Sequence, residues 1–113
     1  MATNLSVRLL AETLRSLAFG SISGTYAGIG TALAHPARLI KFTNTTDVLL
    51  TISLDGVNDH DVIPTNSSYI LDIASNQVLP AGSLTISQGQ RFYVKGTPSS
   101  GSIYLSVYYG SNS

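Results

Sequence analysis

From Ala37 onward, apolar and polar positions alternate along the chain. In ARLIKFTN, Arg38, Ile40 and Phe42 fall on one side and Leu39, Lys41 and Thr43 on the other. DVLLTISLDG sets Val48, Leu50, Ile52 and Leu54 against Leu49, Thr51 and Ser53. SYILDI groups Tyr69, Leu71 and Ile73, and SLTIS pairs Leu84 with Ile86. RFYVK turns Phe92 and Val94 away from Arg91, Tyr93 and Lys95. SIYLSVYYG sets Ile103, Leu105, Val107 and Tyr109 opposite Tyr104, Ser106 and Tyr108. A repeat of two marks a half-buried β-strand, because successive side chains leave opposite faces of the pleat. Asp-Gly, Pro-Thr-Asn, Pro-Ala-Gly, Gly-Gln and Pro-Ser-Ser-Gly separate these runs, and each favours a turn. Short strands at this spacing predict a mainly all-β fold, an antiparallel β-sandwich or jelly roll over residues 36–113.

Residues 1–35 read differently. Val7, Leu10, Leu14 and Leu17 recur at three- and four-residue intervals, which favours a helix capped by Asn4 and ended by Gly20. Ser16 to Gly30, SLAFGSISGTYAGIG, carries glycine and serine too densely for a stable helix and reads as extended. The expectation is an N-terminal helical or extended arm that packs beneath the sandwich or reaches beyond it to a neighbouring subunit.

A chain of 113 residues is sized for one domain. Only 11% of its residues are charged and the net charge is zero, where soluble domains carry roughly 25%. A surface so poor in charge lacks the repulsion that keeps copies apart. Much of it is therefore expected to be covered by other protein, and a homo-oligomer is expected. There is no cysteine, so neither a disulfide framework nor a thiolate metal site is available. The six basic residues are scattered, which argues against nucleic acid as a partner. No run reaches the ~18 apolar residues that would suggest a membrane span. Arg8, Glu12 and Arg15 interrupt any signal-peptide core. The sequons at Asn4, Asn44 and Asn66 read as chance matches in a chain rich in serine and threonine.

DGVNDHD, Asp55 to Asp61, holds three carboxylates and one of the two histidines. The calcium loop motif needs a second Asp or Asn at its third position, a later glycine and a closing Glu. Here Gly56 follows Asp55 directly and no Glu occurs after Glu12. Zinc takes about four ligands, and the chain offers two histidines without cysteine. A hairpin tip explains every residue instead. Leu54 ends a strand, Asp55-Gly56 begins the turn, Asn58 and Asp59 tolerate left-handed backbone, and Val62-Ile63 resume a strand. No metal, cofactor or catalytic role is assigned to Asp55, Asp59, His60 or Asp61. GSISG has Ile22 where a nucleophile elbow needs serine, and GIGTAL lacks the third glycine of a dinucleotide loop. His35 precedes Pro36 and reads as a loop residue.

The outward positions are more informative. With Phe92, Val94, Ile103, Leu105 and Val107 inward, Tyr93, Tyr104 and Tyr108 stand outside with Arg91 and Lys95, and Phe19 and Tyr26 extend the set into the arm. Tyrosine and arginine are enriched at protein interfaces, where they bury area while keeping a polar tip satisfied. These seven residues are the candidate interface. Tyrosines also decorate solvent-facing strands, and exposed ones can stack on sugars, so a carbohydrate-binding module is the rival class.

RLIKFTNTTDVLLTISLDGVNDHDVIP (Arg38–Pro64), NSSYILDIASN, RFYVKG and GSIYLSVYYG together resemble the small structural proteins of tailed-bacteriophage virions. These are cysteine-free β-sandwiches of about this length. The resemblance covers the chain from Leu14 onward and rests on overall texture. It implies a non-enzymatic capsid cement or decoration subunit, with a head–tail neck or tail ring as the alternative. It implies partners among the major capsid, portal, neck or tail proteins and the chain itself, no cofactor, and a virion location after synthesis in the host bacterial cytoplasm. It also implies that the segment around Ser16 to Ser23 is an added strand.

Overall fold

The structure is a computed structural model, and it describes residues 8–72 and 86–111. Asn4, Val7, Ile73 and Leu84 lie outside the described residues. Two antiparallel sheets make a β-sandwich, as the alternation predicted. The spine of the larger sheet is β9 (Ser102–Ser111). On one flank it pairs with β4 (Ala37–Asn44), which pairs in turn with β7 (Ser67–Asp72). On the other flank lie β1 (Arg8–Ala11) and β2 (Arg15–Ala18). The smaller sheet runs β3 (Ala27–Gly28), β8 (Tyr93–Lys95), β5 (Leu50–Ser53) and β6 (Asp61–Ile63). Among the described residues, the one helical turn is the short 3-10 segment Phe19–Ser21.

The helix expected from Val7, Leu10, Leu14 and Leu17 is not formed; the extended alternative is what the chain adopts. Ala11 stands opposite Tyr108 and Arg15 opposite Leu105, so three residues, Glu12 to Leu14, span two on β9. This is a bulge, with one extra residue on the edge strand. Leu10, Arg15 and Leu17 face Tyr109, Leu105 and Ile103. Leu14 is thrown outward and is 56% exposed. The strand expected around Ser16 to Ser23 is β2, which gives way to the 3-10 turn after Ala18.

A second bulge sits on the other flank of β9. The register slips between Ala37 and Leu39, so Arg38 is an extra residue. Its expected place beside Ile40 and Phe42 is taken by Ala37, which is fully buried. Two further expectations are corrected at the end of β5. Leu54 is 41% exposed, whereas Ser53 is buried. The reason is local: the chain turns after Ser53, and the Ser53 hydroxyl accepts from the Gly56 amide at 2.9 Å.

The core lies between the sheets. Ile40, Phe42, Ile103, Leu105 and Val107 meet Leu50, Ile52, Ile63, Phe92 and Val94. Ile22, Ile29 and Leu33, from the connections before β4, close it. Phe42 packs edge-on against Phe92 at 5.5 Å and Tyr69 at 5.4 Å between ring centroids, a favoured geometry because ring edges are positive and faces negative. Gly101 enters β9 with φ +85°, against the Thr45 backbone.

Candidate interaction surfaces

The outer face of the larger sheet follows from register. Leu39 lies between Tyr108 and Asp72, Lys41 between Ser106 and Ile70, and Thr43 between Tyr104 and Ser68. Ala11 extends the first row and Ser16 the last. The face thus carries two tyrosines, a leucine and an isoleucine among hydroxyls, with Lys41 near its centre. It points away from the smaller sheet. Ile70 is 59% exposed, and Leu39, Tyr104 and Tyr108 are half-buried.

Six of the seven residues expected to form one interface are divided between the outer sides of the two sheets. Tyr104 and Tyr108 belong to the face just described. Tyr93 and Lys95 lie on β8, with Tyr26 and Arg91 nearby, on the outer side of the smaller sheet. There the loop after β5 engages them. Tyr26 donates to Asp59, Lys95 Nζ lies 2.9 Å from Asp59, and the same ammonium sits 4.7 Å above the Tyr26 ring. Burial and then the bond to Asp59 push the Tyr26 phenol up to about 12. A Cβ at Gly56 would stand 3.4 Å from the Tyr93 ring, so this aromatic is packed under the loop. Arg91 donates to the Gly30 carbonyl at 3.0 Å. Phe19 is separate from both groups, in the 3-10 turn, and 42% exposed.

DGVNDHD is the loop joining β5 to β6, which pair antiparallel from Leu50↔Ile63 to Ile52↔Asp61. Asp55 organises it. Its Oδ1 accepts from the amides of Val57 and Asn58 and from the Ser53 hydroxyl, and its Oδ2 accepts from the Asn58 side chain. Those bonds hold its carboxyl far below the usual carboxylate range, the Asn58 amide foremost. His60 Nδ1 accepts from the Leu54 amide at 2.9 Å, while its Nε2 stays 4.0 Å from Asp55. Asp61 accepts from the Val62 amide. The carboxylates are thus committed to different protein partners: Asp55 within the loop, Asp59 to Tyr26 and Lys95, and Asp61 to the Val62 amide and Tyr69. Among the described residues no group of three or more acidic or histidine side chains is arranged to hold a metal ion.

A third feature was not singled out in the sequence. An open cleft of about 580 Å³ runs beside the edge bulge, walled by Glu12, Arg15, His35 and Tyr109. The Glu12 side chain is 5% exposed and lies 2.7 Å from Arg15 Nη2. Its other oxygen lies 2.8 Å from His35 Nδ1. Arg15 also donates to the carbonyls of Thr31 and Ala32 at 2.8 and 3.0 Å. His35 stacks on Tyr109 with ring centroids 3.7 Å apart. Burial alone raises the Glu12 pKa, but His35, Arg15 and the Ala34 amide outweigh it and leave the pKa below 4.5. Both carboxylate oxygens and the guanidinium are taken up by protein groups, which suits a clasp between the edge strand and the segment before β4. The signal in the sequence was faint: two charges, Glu12 and Arg15, inside an apolar stretch.

No protein-family model, curated protein or solved structure matches the chain.

Proposed function

We propose that the chain is a non-enzymatic structural subunit of a tailed-bacteriophage virion and acts by adhesion. In the first reading it is a capsid cement or decoration protein bound to neighbouring capsid subunits. In the alternative it forms a neck or tail ring. The supporting observation is the outer face of the larger sheet, where Leu39, Ile70, Tyr104 and Tyr108 lie on a rigid strand platform. Low charge fits the same use, since interface cores are depleted of charged residues. A contact of about 800 Å² per partner gives a specific complex, and repetition around a symmetric shell multiplies weak contacts through effective concentration. The acidic loop and the buried Glu12 serve the fold in this reading and take no part in a reaction.

The test is copy number and attachment. Hundreds of copies per particle mean cement, and about six to twelve mean a ring, as closed cyclic assembly requires. A Tyr104→Ala, Tyr108→Ala variant is expected to fold normally and to fail to join particles. Glycan binding that disappears in that double variant, with particle incorporation intact, would replace this reading with the carbohydrate-binding one.

A further inference from the structure

An exposed sheet edge is a template for another strand, and stable monomers blunt their edges with bulges, inward charges or very short strands. Among the described residues, three of the four sheet edges are blunted. The β1/β2 edge carries the bulge and turns Glu12 and Arg15 inward. β3 has two residues, and a Cβ at Gly28 would collide with the guanidinium of Arg91. β6 has three residues. Among the described residues, the fourth edge is open. β7 registers residue for residue with β4, from Leu39↔Asp72 to Asn44↔Ser67, without a bulge. It contains neither proline nor lysine, its Ile70 and Leu71 are 59% and 38% exposed, and among the described residues no strand pairs with its far side.

We propose that β7 receives the β7 strand of a second copy of this chain, antiparallel, about a two-fold axis through Ile70. This rests on the reading of the chain as an assembling subunit and names one of its contacts. The sequence of the strand fits its own copy. An axis perpendicular to the sheet keeps outer side chains outer, and centring it on Ile70 opposes Ile70 to Ile70, Tyr69 to Leu71 and Ser68 to Asp72. Apolar residues meet apolar ones, and the carboxylate meets a hydroxyl instead of its twin, the pairing that cross-strand energetics favour. Centring on Tyr69 would set Ser68 against Ile70 and lose that match. The two larger sheets then become one, and the outer faces bearing Tyr104 and Tyr108 run on continuously.

The chain has no cysteine, which makes the test direct. Directly opposed residues lie about 4.5–5.5 Å apart at Cα, within reach of a disulfide. Under mild oxidation, the full chain carrying Ile70→Cys is expected to form a covalent dimer at least about tenfold faster than one carrying Ser16→Cys, on the opposite edge. Ile70→Lys, which sets two ammonium groups against each other, is expected to weaken dimerisation in sedimentation by about tenfold or more while leaving the far-UV spectrum unchanged. Equal rates for the two cysteine variants, or an unchanged dimer with Ile70→Lys, overturn the pairing. If the chain still assembles or joins particles in that case, the assembly reading stands without it. A chain that stays monomeric at millimolar concentration and enters no particle ends both. Loss of particle incorporation with Ile70→Lys, without any dimer of the isolated chain, assigns β7 to a different protein and also overturns the proposal.

Discussion

The side-chain amide nitrogen of Asn44 lies 3.0 Å from the carbonyl oxygen of Ile63, joining the last residue of β4 in one sheet to the last of β6 in the other. The same nitrogen reaches the carbonyls of Val48 and Pro64, and its Oδ1 accepts from the amide and hydroxyl of Thr46. Asn44 is fully buried, so it is a polar hub inside the sandwich. Asn44→Ala leaves several buried groups unpaired and is expected to cost about 2–4 kcal/mol, lowering Tm by ~10 °C or more. Urea unfolding of the variant measures this, and a loss below about 1 kcal/mol would contradict the role assigned.

Gly101 is expected to be intolerant for a different reason. Its φ of +85° is left-handed, and an added Cβ would collide with the Thr45 carbonyl and stand 2.8 Å from the Thr46 Cα. Backbone cannot swing aside as a flexible side chain does. Gly101→Ala should therefore cost about 2 kcal/mol or more. Gly20→Ala, with nothing within 4 Å, is the control expected to change little.

Glu12 makes stability depend on pH. Its folded pKa lies below the ordinary 4.5, so its contribution is complete above that value and is lost as pH falls through the folded one. Glu12→Gln is expected to cost about 1–3 kcal/mol near neutral pH. The difference from the parent chain should shrink as the solution is acidified, because the parent then carries a neutral group too. Denaturant midpoints for both chains across pH 3–7 check the sign. A gap that widens in acid would refute the clasp.

The acidic loop is expected to ignore chelators. EDTA should leave Tm unchanged, and His60→Ala should alter it little. Asp55→Ala should lower it more, because Asp55 gathers two amides, a hydroxyl and a side-chain amide into one turn. A fall in Tm on chelation, restored by calcium, would show that the loop holds an ion.

Much of the sandwich was legible because burial imposes a period of two. Ile40 and Phe42, Leu50 and Ile52, Phe92 and Val94, and Ile103 to Val107 all point where alternation placed them. Leu54 and Ser53 were misplaced because the chain turns after Ser53; the other reversals come from bulges. In the edge strand, residues 10, 12, 15 and 17 turn inward, a period of two broken by one inserted residue. Sampled only at its leucines, that spacing imitates a helix. Arg38 was misplaced for the same reason. Bulges are set by the partner strand, so a single run of sequence does not display them. Tyr93, Tyr104, Tyr108, Arg91 and Lys95 were read as outward from alternation, but alternation within a strand does not say which sheet the strand joins. The Glu12–His35 contact spans 23 positions, and its one trace in the sequence is the pair of charges, Glu12 and Arg15, inside an apolar stretch.

The strand at the centre of the larger sheet, β9, comes last in the order of described strands, yet β1, β2 and β4 all hydrogen-bond to it. A nascent chain emerging from the ribosome must therefore carry its early strands without their shared neighbour until Ser102–Ser111 has been made. Leu10 waits for Tyr109, almost a hundred positions later, and closing so wide a loop is slow. Refolding is expected in the millisecond-to-second range of non-local β topologies. A ribosome stalled before Ser102 would display an unfinished sheet.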